Sequence, residues 1–256
     1  MDSRPQKLIE VIKLPLIFIL FIWAVHIVQV GTELRLGYLG ILPRSFSGIR
    51  GILFAPLIHA DFTHLVNNSI PLFVLSSIIL YFYPRVAIRS YILIYLLTGL
   101  FVWLIGNFFF CGLEYGHHCN SYHIGASGVV YGLATFIMGT GIFRRNIKSI
   151  ALALIILFYY SGMFVGILPL EEGVSWESHL YGALVGFFTA FYFKNELEKD
   201  EIPIPPSWAN DDPGATTPFF ASDIFDKTKL ERKLEEEAKK NIDESGWTSS
   251  STVDPS

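Results

Sequence analysis

The chain has 256 residues, of which 52% are hydrophobic and 16% charged, with a formal net charge of −4. Soluble domains carry about 25% charged residues, so this composition excludes an ordinary soluble globule and offers no basic surface to a nucleic acid. The apolar residues come in long unbroken runs rather than alternating ones. That excludes a membrane β-barrel and leaves helices, which satisfy their own backbone hydrogen bonds in lipid.

Crossing a hydrocarbon core about 30 Å thick takes about 20 apolar residues. Six runs meet this, at 14–30, 64–83, 90–110, 125–143, 149–169 and 176–193. The first follows Arg4, Lys7 and Lys13 as a signal peptide would. The stretch "IVQVGTEL" after it lacks a small-x-small cleavage site, so it reads as a retained helix. Its His26 is expected to be a buried packing residue with one hydrogen-bond partner. The second run opens with "HADFTHLVNN" (59–68). Between the third and fourth, Cys111 and Cys119 either form a bridge on an oxidising side or stay as thiols. His117, His118, Cys119 and His123 crowd the same loop, a mixture of the kind that binds zinc. A merely polar loop is the favoured reading, and neither metal nor other cofactor is expected. The fourth run opens with "GASG" (125–128) and the sixth with "WESHLYGALVG" (176–186).

Lys and Arg gather on the cytoplasmic side of membrane proteins. With the N-terminus inside, the inner segments hold Arg4, Lys7, Lys13, Arg85, Arg89, Arg144, Arg145, Lys148 and Lys194, and the outer loops 111–124 and 170–175 hold none. Only the first outer loop departs, with Arg35, Arg44 and Arg50. Both termini are therefore expected in the cytoplasm. Residues 1–194 form the expected membrane domain. From 195 to 256 there are 15 acidic and 7 basic residues, an acidic, largely disordered tail with a short charged helix near 223–242 that sets Leu230 and Leu234 on one face.

The second, fourth and sixth runs all pass from outside to inside, so their first turns share one depth. They bring His59, His64 and Asn68, then Ser127, then His179 to one level, where each polar group would be unfavourable if left unpaired. Gly128 and Gly132 on the fourth run, and Gly182 and Gly186 on the sixth, stand at i, i+4, the spacing that lets two backbones approach in lipid. Packing by these strips brings Ser127 within reach of His179. A neutral imidazole beside a hydroxyl is the minimum apparatus of nucleophilic catalysis. The oxyanion that follows needs donors. Asn68, His64 one turn away, and the Ser127 N–H at its helix start are placed to supply them. The soluble Gly-x-Ser-x-Gly elbow is not matched, since Val129 stands fifth and no βα alternation surrounds it.

"GASG", the His59–His64–Asn68 pattern and the His179–Gly182–Gly186 pattern together resemble the rhomboid intramembrane serine proteases, over about three quarters of the chain. The resemblance implies an all-α, six-transmembrane-helix rhomboid-like bundle. It implies Ser127 as nucleophile, His179 as general base, His64 and Asn68 at the oxyanion hole, and Tyr131 packed on the catalytic imidazole, with Gly125 and His59 in support. Ile49-Arg50 stands where many members carry an aromatic-Arg pair, so the usual tryptophan anchor of the first loop is missing. The implied activity is cleavage of transmembrane segments of other proteins near their outer ends, in a plasma membrane of bacterial type with the active site facing out. The alternative is an inactive rhomboid-like protein that binds membrane clients. A transporter would want charges near the bilayer middle, and no His-Glu-x-x-His suggests a zinc protease.

Overall fold

The computed structural model describes residues 4–107, 121–170, 175–202 and 226–247. Its long helices are α1 (Arg4–Gly31), α2 (Phe62–Phe82), α3 (Ala87–Ile105), α4 (Ser127–Arg144), α5 (Ile147–Tyr159), α6 (Trp176–Tyr192) and α7 (Lys229–Trp247). No strand occurs among the described residues, only an isolated bridge between Ile41 and His123. The first six helices stand on the six apolar runs. Three of them, over Ile9–Gly31, Phe62–Phe82 and Ala87–Ile105, are long and apolar enough to cross a membrane, and a fourth crosses if α5 and the segment after it count as one bent span.

The shorter α4 and α6 owe their composition to their position. α4 packs against α2, α3, α5 and α6, and most of its length is buried, including Gly128, Gly132, Gly139, Thr140 and Gly141. A helix surrounded by protein does not need a lipid-facing hydrocarbon surface, and small residues let its neighbours close in. Its Leu133, Phe136 and Ile137 share one core cluster with Leu72, Leu75, Ile94 and Ile156 of its neighbours, each almost fully buried.

The fifth run departs from the expected continuous helix. The α-helix stops at Tyr159, and Ser161–Ile167 continues as a 3-10 helix bent by 64° from it. Hydropathy is blind to this, since both helix types bury an apolar run equally. His26 also departs. It is buried edge-on against Phe62, and neither ring nitrogen has a hydrogen-bond partner.

The long first loop is a series of short helical turns over 36–57. Its anchor comes from α3: the Trp103 indole donates to the Ser45 carbonyl at 2.9 Å, and the Arg44 guanidinium donates to the Gly106 carbonyl at 2.8 Å. On the face bearing the α2–α3 and α4–α5 turns, residues 195–202 fold back onto the helix ends. The Glu201 carboxylate, with the Arg144 side chain also wholly buried, meets Arg144 at 2.6 Å and accepts from Asn146 and Ser149 at 3.1 Å each. Glu198 accepts from the Arg85 N–H at 3.0 Å, and Glu196 pairs with Arg89. The first compact unit accordingly runs Met1–Ile202 and so takes in residues 195–202, which the sequence reading assigned to the tail.

The second unit, Pro203–Ser256, is described only at 226–247. There α7 starts with a reciprocal cap in which the Thr228 N–H donates to Glu231 at 2.7 Å and the Glu231 N–H donates back to Thr228 Oγ1. Leu230 and Leu234 are exposed.

Candidate active site

Asp61 caps α2, its carboxylate accepting from the His64 N–H at 2.8 Å. That fixes the helix start and sets His64 and Asn68 one turn apart on one face. Opposite them the chain enters α4 through Gly125, whose φ of +101° suits glycine. A Cβ at 125 would lie 2.6 Å from His64 Cε1 and Nε2 and 3.6 Å from Asn68 Nδ2, so both side chains press against the backbone two residues before Ser127. Asn68 is buried, and its amide nitrogen has no hydrogen-bond partner.

Ser127 is the first residue of α4, where helix N–H groups lack intrahelical acceptors. Its Oγ lies 2.8 Å from His179 Nε2 on α6. His179 Nδ1 lies 2.8 Å from the Gly166 carbonyl. A carbonyl only accepts, so Nδ1 carries a proton; in the neutral ring Nε2 then presents its lone pair, and the serine hydroxyl donates to it. The Tyr131 ring lies flat on the imidazole, with centroids 4.2 Å apart and planes 7° from parallel, and its hydroxyl donates to the Met163 carbonyl at 2.8 Å.

The glycine strips set this register. A Cβ on Gly182 would overlap the Gly128 carbonyl, and one on Gly186 would overlap that of Gly132. Ser127, His179, Tyr131, Gly125, Gly128, His64 and Asn68 thus converge, and Gly182 and Gly186 line the helix contact beneath them. His59 stands apart. It is fully buried behind His64, with ring centroids 5.1 Å apart, and both its nitrogens lack partners. Burial, with His64 and His26 nearby, pushes its pKa down to about 3, so the ring is neutral.

A second polar group joins the ends of the helices near this site. His123 Nε2 lies 3.0 Å from Asn107 Oδ1, and its Nδ1 bonds Ser175, which bonds Ser178 at 2.6 Å. The Asn107 N–H donates to Glu177 at 2.9 Å. Burial pushes His123 down to about 4. With both nitrogens engaged it ties the entries to α4 and α6 together. His117, His118, Cys111 and Cys119 lie outside the described residues. Asn107, Ser175 and Gly166 were not singled out from the sequence. The pair Ser175 and Ser178, at i, i+3 just ahead of His179, was the available hint.

A family model described as a rhomboid domain matches residues 47–196. The chain belongs to the rhomboid family. This rhomboid is 36% identical over 180 residues to an uncharacterized protein of Mycobacterium tuberculosis, covering 69% of the chain and 72% of the relative. An uncharacterized protein of Mycobacterium bovis matches to the same extent, and one of Mycobacterium leprae is 34% identical over 179 residues, covering 69% and 68%. With its apolar helices, the rhomboid is an integral membrane protein.

Proposed function

We propose that this rhomboid is an intramembrane serine endopeptidase. The observation that carries the reading is the Ser127 Oγ–His179 Nε2 hydrogen bond of 2.8 Å, with the far side of the imidazole anchored on Gly166. In the proposed reaction, Ser127 Oγ attacks the scissile carbonyl carbon as its proton passes to Nε2. The oxyanion takes hydrogen bonds from the unused Asn68 amide, from His64 and from the Ser127 N–H. Collapse breaks the C–N bond, and the imidazolium gives its proton to the leaving amine. Water then attacks the acyl ester with Nε2 as base and releases the second product, regenerating Ser127.

The substrate is a transmembrane segment of another protein, cut near its outer end. A continuous helix hides its carbonyls in hydrogen bonds, so helix-breaking residues in the substrate favour cleavage. Both termini lie in the cytoplasm, with the bundle crossing six times and the dyad opening outward. The test reconstitutes wild type, Ser127→Ala and His179→Ala in liposomes with a panel of single-span proteins. Cleavage by wild type alone is the expected result. Cleavage by Ser127→Ala at the wild-type rate removes the proposal.

A further inference from the structure

After Tyr159 the chain leaves the α-helix and runs as the seven-residue 3-10 helix Ser161–Ile167. Carbonyls at the end of a helix lack intrahelical partners and bond whatever donor lies beside them. Two carbonyls of this segment turn to the dyad. Met163 O accepts the Tyr131 hydroxyl, and Gly166 O accepts His179 Nδ1, both at 2.8 Å. Tyr131 in turn stacks on the same imidazole. One short segment therefore holds the base by its edge and the base's stacking partner by its hydroxyl.

We propose that Gly166 is a positioning residue: its main-chain carbonyl fixes His179 in the tautomer whose Nε2 receives the Ser127 proton, the task of a side-chain carboxylate in a serine-protease triad. This rests on Ser127 and His179 being nucleophile and base. Space makes the residue a glycine. A Cβ at 166 would overlap the Tyr131 hydroxyl and sit 3.3 Å from His179 Nδ1. Alanine there must either push the tyrosine off Met163 or lift the segment, carbonyl included, from the imidazole. On this segment Phe164, Val165 and Leu168 are about half exposed, so packing holds it on one side only. The Tyr131 hydroxyl is the atom in the way. With phenylalanine at 131 the nearest ring carbon would stand 3.3 Å from the new methyl, a gap that small shifts relieve.

The experiment uses the full chain as wild type, Gly166→Ala, Tyr131→Phe and the double variant, each checked for folding by thermal unfolding. A fluorophosphonate reads activation of Ser127, a helical model substrate gives kcat and KM, and 15N-histidine NMR reads the tautomer. Gly166→Ala is expected to lower labelling and kcat by about 10²-fold with little change in KM, less than the ~10⁴ of losing a triad's orienting carboxylate, since the carbonyl is displaced and not removed. Its His179 spectrum should lose the pure Nδ1–H signature. Tyr131→Phe loses about tenfold or less, and the double variant is about tenfold more active than Gly166→Ala alone. Wild-type labelling by Gly166→Ala overturns the proposal, as does a folded double variant no better than the single. If wild type itself is not labelled, or Ser127→Ala is labelled equally, the catalytic reading fails instead, and NMR still reports the Gly166–His179 bond.

Discussion

Gly182 on α6 faces the carbonyl oxygen of Gly128 on α4 so closely that a Cβ at 182 would overlap it. The contact is backbone on backbone, so no side chain can swing aside. Gly182→Val or Gly186→Val must therefore part the helices that carry His179 and Ser127. Overpacking typically costs 1–3 kcal/mol, and a 1 Å misplacement of catalytic groups can cost about 10² in rate. We expect at least a hundredfold loss of kcat with a measurable drop in thermal stability. Full activity in either variant would show that the close approach does not set the dyad.

Asn68 Nδ2 is a buried donor without a partner, an unfavourable state for an amide that an oxyanion would relieve in the proposed reaction. Asn68→Ala or His64→Ala should each lower kcat by roughly 10²–10³. An effect confined to KM would reassign these side chains to substrate binding. Ser127→Ala and His179→Ala should behave as one unit, the double variant being no slower than either single.

The helices and the Ser127–His179 contact were legible in sequence because each rests on local pattern: apolar run length, a serine between glycines, and a histidine ahead of a glycine strip. Matched helix direction then put Ser127 and His179 at one depth. What could not be read was main-chain chemistry. The Gly166 carbonyl belongs to no side-chain motif, and the 3-10 bend that aims it sits inside an apolar run that reads the same either way. Trp103 was missed as the loop anchor because it lies 58 residues from Ser45. The partners of His123, Asn107 and Ser175, could not be read either, because they come from other helices' ends.

Glu201 is the centre of the clamp on the ends of α4 and α5. Burial works against its charge, but the Glu198 N–H and the cations of Arg144 and Lys148 outweigh it and hold the carboxyl below its usual range. A carboxyl lowered in the folded state stabilises fully above its unfolded pKa and loses that contribution as pH falls through the folded value. Glu201→Gln leaves the buried Arg144 unpaired, which should cost about 3–5 kcal/mol near neutral pH, and the gap from wild type should close below about pH 4. Unfolding midpoints against pH for the two proteins check both statements. A gap that widens on acidification would mean that the charge of Glu201 is not what holds the clamp.

Two truncations separate the clamp from the tail. All the site residues, and Glu196, Glu198, Asp200 and Glu201, lie within the unit Met1–Ile202. Removing 203–256 takes away an acidic segment whose described helix carries its own cap at Thr228 and Glu231 and leaves every contact of the clamp in place. We expect kcat/KM on one model substrate within about twofold of full length. Removing 195–256 also strips the carboxylates from Arg85, Arg89, Arg144 and Lys148, so the wholly buried Arg144 side chain loses its partner. That protein should unfold at clearly lower temperature, since it loses the buried Arg144–Glu201 pair together with the hydrogen bonds that Glu201 accepts from Asn146 and Ser149. Assays in detergent with matched expression decide the matter. A tenfold loss of kcat/KM on removing 203–256 alone would make the tail part of the working enzyme, and equal stability of the two truncations would reduce residues 195–202 to a passive linker.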